Sequence, residues 1–136
     1  MPLSREDILA AGGVRAELPQ REVPFTPLKG DVIVRGLWLE ERLAHQDEIA
    51  KVHARIRAEV PEGQELTAQQ QGVISAVTAV SLLTMAVVGA DGKPLLTQAE
   101  WRALAGAYPS EVMALCTTAL NLAGMGAGAT EDAAKN

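Results

Sequence analysis

Three residues in one stretch have the types and spacing to hold a metal ion. Glu41, His45 and Glu48 fall at i, i+4 and i+7, which sets an imidazole and two carboxylates on one face of a helix, a usable ligand set for a divalent metal. No second cluster exists to complete the shell, and His53 lies eight residues beyond His45. An exposed, charged helix face gives the same pattern, and that is the preferred reading. No metal site is expected. The run "GMGAG" at 124–128 has the glycine density of a dinucleotide loop. Such a loop follows a strand, opens a helix and is served by an acid about 20 residues further on. Here a helical pattern comes before it and eight residues come after it, so a flexible tail is expected and no cofactor. The segment "DGKPLLT" at 91–97 lacks the alternating acids and final glutamate of a calcium loop. It reads as a turn, with Asp-Gly reversing the chain, Pro94 stiffening it and Thr97 capping the next helix. The single cysteine, Cys116, excludes an internal disulfide and lies in the apolar run "VMALCTTAL", where a small buried hydrophobe is expected. No Ser/His/Asp set can be singled out. The chain is expected not to be an enzyme.

The elements that position these residues follow from periodicity and punctuation. Ser4 can cap a helix over about 4–11, with Glu6 and Asp7 at its positive end and Gly12 and Gly13 as its stop. In "REVPFTPLKGDVIVRGL", alternating Val23 and Phe25, then Val32 and Val34, predict strands over about 21–26 and 31–36 around a "PLKGD" turn. Pro24 and Pro27 donate no hydrogen bond, so the first strand must be an edge. Leu39, Leu43, Ile49, Val52, Ile56 and Val60 recur at helical steps with one wider gap across Gln46, which predicts a helix over 38–60 ended by Pro61. Thr67 and Gln70 form a capping box that opens a helix over 67–88, and Thr97 with Glu100 forms another for 98–107. Pro109 breaks the chain, Ser110 is expected to cap, and a last helix runs over 110–123. The expected fold is mainly α with a small N-terminal β-hairpin, an α+β arrangement. It forms a single domain over 1–123, with 124–136 as a flexible C-terminal tail.

Charge is spread unevenly. Residues 1–65 hold 9 Lys/Arg and 12 Asp/Glu, whereas residues 66–136 hold 3 and 5. The run 66–90 has no charge at all. Its last 18 residues span about 27 Å as a helix, close to a hydrocarbon core in length. A membrane span is nevertheless not expected: the run is rich in Ala, Ser, Thr and Val, its entry is "TAQQQG", and the flanks lack the Lys/Arg asymmetry and the Trp/Tyr belt of a true span. Ser75, Thr78, Ser81 and Thr84 come every third residue and so spiral around the helix without gathering into a polar face. A helix apolar all round has to be enclosed by other helices and a partner. Val73, Val77, Val80, Leu83 and Val87 are therefore expected in the core or at an interface, with Leu95, Leu96 and Trp101 as further contacts. Trp38 and Trp101 each begin a helix, where Trp packs a corner or serves as an interface anchor. The net charge of −5 with scattered basic residues gives no nucleic-acid footprint. "MPLSREDILAAGG" is not expected to act as a secretory signal.

The order of features resembles the tail assembly chaperones of long, non-contractile-tailed bacteriophages. The resemblance runs through "LSREDILAA", the hairpin "REVPFTPLKGDVIVRGL", "LEERLAHQ", "LLTMAVVGADGKPLLTQAEW" and "ALCTTALNLAGMG", to the end at "EDAAKN". Its most specific part is "VVGADGKPLLTQAEWRAL" at 87–104, followed by "ALNLAGMG". The resemblance implies a small, mostly helical, self-associating protein acting in the host cytoplasm and absent from the mature virion. It implies a non-enzymatic holdase that coats the tape measure protein while the major tail protein assembles around it. It further implies a longer, frameshifted form sharing this N-terminus, the present chain being the short form. The alternatives are a structural head–tail or tail component kept in the virion, and a small membrane-associated accessory protein.

Overall fold

The computed structural model describes residues 2–8 and 18–125. Helix α1 covers Arg5–Ile8. The Ser4 hydroxyl accepts from the Asp7 amide at 3.1 Å, and the Asp7 carboxylate accepts from the Ser4 amide at 3.0 Å. The rest of the helix expected over 4–11, its glycine stop and residues 126–136 lie outside the described residues.

Strands β1 (Gln20–Phe25) and β2 (Gly30–Arg35) pair antiparallel, with Val23 opposite Val32 and Arg21 opposite Val34. A single 3-10 turn, Thr26–Leu28, joins them, and Lys29 leaves it in the left-handed region at φ 53°. The alternation puts Val23, Phe25, Val32 and Val34 on one face, as period two requires. β1 is an edge strand, as its prolines demand. The sheet has a third strand that the sequence pattern did not separate from a helix. Helix α3 (Ala68–Ala86) stops two residues short of the expected end, and β3 (Val87–Val88) pairs with β2 through Val34/Val87 and Ile33/Val88. Two β-branched residues fit a pleated, buried position well, and β2 offers them an open edge. The other edge of β3 is met by the returning chain. The Leu95 amide donates to the Val87 carbonyl at 3.1 Å and the Gly89 amide to the Lys93 carbonyl at 2.9 Å, while Val88 bridges Pro94. Gly92 supplies the positive φ of 79° that this reversal needs.

Helix α2 (Leu39–Ala58) and α3 are joined by a polar loop and pack against each other, followed by α4 (Gln98–Ala107) and α5 (Pro109–Leu122). Both expected capping boxes form: Thr67 and Gln70 exchange bonds of 3.1 and 2.8 Å, and Thr97 and Glu100 exchange bonds of 3.2 and 2.9 Å. At α5 the cap differs from expectation. Tyr108 holds the cap position and Pro109 starts the helix, its preset φ suiting the first turn. Helix α3 is the centre of the molecule, packing on α2, α4 and α5. Its Leu82, Leu83 and Ala86 join Phe25 and Val34 of the sheet, Trp101 of α4 and Leu115 and Ala119 of α5 in one core. A second, smaller cluster of Val52, Ile56 and Ile74 closes the far end of the α2/α3 pair. The protein is thus mainly helical with a small three-stranded antiparallel sheet. Among the described residues, no helix is long and apolar enough to cross a membrane.

Candidate functional site

The structure separates the three residues with metal-binding spacing. Arg35 grips Glu41 in a two-pronged ion pair, at 2.7 and 2.8 Å, and Glu41 also accepts from the Trp38 amide at 3.0 Å. The hydrogen bonds from Arg35 hold the Glu41 carboxyl below its usual range, against a smaller opposing effect of burial. His45 is not on an exposed face, as the sequence reading had it. It is only 2% exposed, and its Nδ1 lies 3.0 Å from the Ser81 hydroxyl of α3. Glu48 lies in a cleft further along α2. Cys116 is buried, and burial pushes its thiol pKa up, away from the reactive thiolate.

Burial also pushes the His45 pKa down, because a charged imidazolium is disfavoured away from water. The neutral ring, with one donor and one acceptor nitrogen, can satisfy the Ser81 hydroxyl in either sense. The sign for stability follows: an unfolded chain binds this proton more readily than the folded one. His45 therefore contributes stability fully above its ordinary value near 6.5, and that contribution is lost as pH falls through the lower folded value. Glu41 acts in a separate window, below its ordinary 4.5. Urea midpoints should therefore drop between pH 7 and pH 5, with a slope of at most about 1.4 kcal/mol per pH unit. His45→Asn, which keeps a polar group near Nδ1 but cannot titrate, should be less stable at neutral pH and flat across that window. A variant that keeps the wild-type slope would assign the effect elsewhere.

The residues expected in the core or at an interface divide between interior and surface. Val80, Leu83, Val87 and Trp101 are buried within the core of the chain itself. Val77 is half-buried beside the smaller cluster, and Leu96 is half-buried against the main core. Val73 and Leu95 are exposed. Two apolar surfaces do form, and neither was foreseen as such. The first is a groove of about 340 Å³ between α3, α4 and α5. Its walls include Ala76, Ala79, Val80, Ala105, Val112 and Met113, with Arg102 at its edge. Small alanines on facing helices leave room that a large side chain would fill. Met113 is 56% exposed on the rim. Arg102 also walls an adjoining cleft with Glu48, Lys51, Arg55 and Val77, so three cations and one acid stand beside the apolar space. A larger cleft of about 650 Å³ lies near the α2–α3 loop. It is open and lined by His53, Arg57, Glu65 and Gln71 among others, which suits water better than an apolar ligand.

The second surface is a ridge on the first turns of α2. Leu39 is 66% exposed and Leu43 54% exposed, beside the half-exposed Trp38. The sequence reading joined these leucines to Val52 and Ile56 as one apolar stripe, and the structure corrects this. At about 100° per residue, the nine steps from Leu43 to Val52 come to two and a half turns, so the two point in opposite directions. The gap across Gln46 was the signal of a change of face. The inward positions on this half of α2 go to His45, Arg42 and Glu41 instead, and Arg42 donates to the Ala123 carbonyl at the end of α5. No family model, no curated protein and no solved structure matches this chain.

Proposed function

We propose that this protein is a non-enzymatic holdase of phage tail assembly. It binds an apolar helical client, the tape measure protein, while the major tail protein assembles around it. The observation that carries this reading is the apolar groove between α3, α4 and α5, open to a partner and bordered by Arg102. A holdase needs shallow, repeatable apolar contacts, and self-association multiplies them through avidity. The segment 87–104, where the resemblance to tail assembly chaperones is most specific, folds into β3, the Gly92 turn, the Thr97 capping box and Trp101. Of that segment, Arg102 lines the groove.

In this reading the chain works as a homo-oligomer, together with a longer frameshifted form of itself, in the host cytoplasm. It leaves before the virion is complete. The client test is co-expression with a tape measure protein of the same phage. Wild-type chain should keep the client in the supernatant, and Met113→Glu should lose most of that effect while folding normally. A client that pellets equally with and without the wild-type chain would overturn the proposal. Detection of the chain in purified virions would assign it instead as a structural component.

A further inference from the structure

We infer that residues 38–51, the first half of α2 with its cap, form a strap that lifts off α3 and the end of α5 when His45 takes up a proton, while the rest of the fold stays closed. Among the described residues, no side chain of this stretch belongs to either hydrophobic cluster. Leu37, just before it, is buried in the main core, and Val52, just after it, in the smaller one. Between these two apolar anchors the strap is tied down by polar hooks. Arg35 of β2 holds Glu41 at 2.7 and 2.8 Å, Arg42 donates to the Ala123 carbonyl, and His45 meets Ser81 at 3.0 Å. Leu39 and Leu43 face water, and Ile49 is half-buried outside both clusters. A helix half divided in this way gives up little apolar burial when it opens, which sets it at the low-stability end of the structure.

The titrating group stands where its charge has no answer. Helix α3, packed against α2, has no titratable residue over 68–86. Helix α5 brings Glu111, half-buried in its first turn at the opposite end from Ala123, and Cys116, buried in the main core. On α2 itself, Glu41 is taken by Arg35, Arg42 by the Ala123 carbonyl and Asp47 by Lys51. Glu48 lines a cleft with Lys51, Arg55 and Arg102 of α4. A charged imidazole carries two N–H donors, of which the Ser81 hydroxyl can accept one. The closed strap therefore keeps His45 neutral, and a strap opened into water returns the ring to its ordinary value near 6.5. A proton bound only in the open form pulls the strap open. The surface it uncovers is free of charge, since neither α3 nor α5 beyond Glu111 carries a charged side chain. None of this depends on the client or on the proposed function.

Hydrogen–deuterium exchange on the purified chain tests this, read between pH 7.5 and pH 5 and corrected for the intrinsic exchange rate at each pH. Above pH 5 the Arg35–Glu41 pair stays intact, because the Glu41 carboxyl is held below its ordinary 4.5. A helix of two or three turns freed from its packing does not hold its hydrogen bonds in water, so an open strap exchanges. Protection of the amides over 42–51 should fall as pH drops below 6.5, by up to about tenfold per pH unit. The amides over 80–86 of α3 and 115–122 of α5 should keep theirs. His45→Asn should flatten the pH response of the strap. Arg42→Ala cuts a hook that does not titrate in this range, so it should lower protection over 42–51 at every pH and keep the step. A loss of protection shared equally by the whole chain would overturn the inference. So would a strap that ignores pH in the wild-type chain, or a step that survives His45→Asn.

Discussion

Trp101→Ala is expected to lower the unfolding free energy by about 3–5 kcal/mol. Trp101 is 1% exposed and, among the described residues, the largest of the fully buried side chains, set where α4 meets α3 and α5. Truncation removes its transfer free energy and leaves a cavity that three packed helices close only in part. Trp101→Phe should be far milder, within about 1.5 kcal/mol. The reason is specific to this site. The indole Nε1 is buried with no hydrogen-bond partner among the described residues, and an unmet buried donor costs about 1–3 kcal/mol. Phenylalanine gives up some volume but removes that donor. Urea denaturation of the two variants checks both figures. A phenylalanine variant as unstable as the alanine one would show that the indole nitrogen is satisfied in solution.

The second large effect separates core from surface on helix α3. Leu83→Ala should cost about 3 kcal/mol, because Leu83 is completely buried between the sheet, α4 and α5. Val73→Asp, ten residues earlier on the same helix, should change stability by less than about 1 kcal/mol. Val73 is 42% exposed near the N-terminal end of α3, and an aspartate there meets water. Equal losses at both sites would mean that Val73 is covered in the purified chain. The pair therefore reads out the burial of the helix independently of any client.

The sequence by itself determined whatever depends on near neighbours along the chain. Thr67 with Gln70 and Thr97 with Glu100 start helices because the partners lie three residues apart, and both boxes form as expected. Alternation in Val23, Phe25, Val32 and Val34 gave the hairpin, and Pro24 gave its edge. The absence of charge over 66–90 marked the central helix, but only its C-terminal half is enclosed, and Val73 stays exposed. The tertiary structure decided the rest. Val87 and Val88 continue a helical pattern as well as they begin a strand, and only the open edge of β2 makes the strand preferable. Leu39 and Leu43 look as buried in sequence as Val52 and Ile56. Which face of α2 turns inward depends on Ser81 waiting for His45 and on the Ala123 carbonyl waiting for Arg42. Those partners come from α3 and from the end of α5, 36 and 81 residues away. Period and spacing fix the angle between two side chains on one element, but they carry no information about what stands opposite. The groove and the ridge are set by that opposition, so they became visible only once the helices were packed.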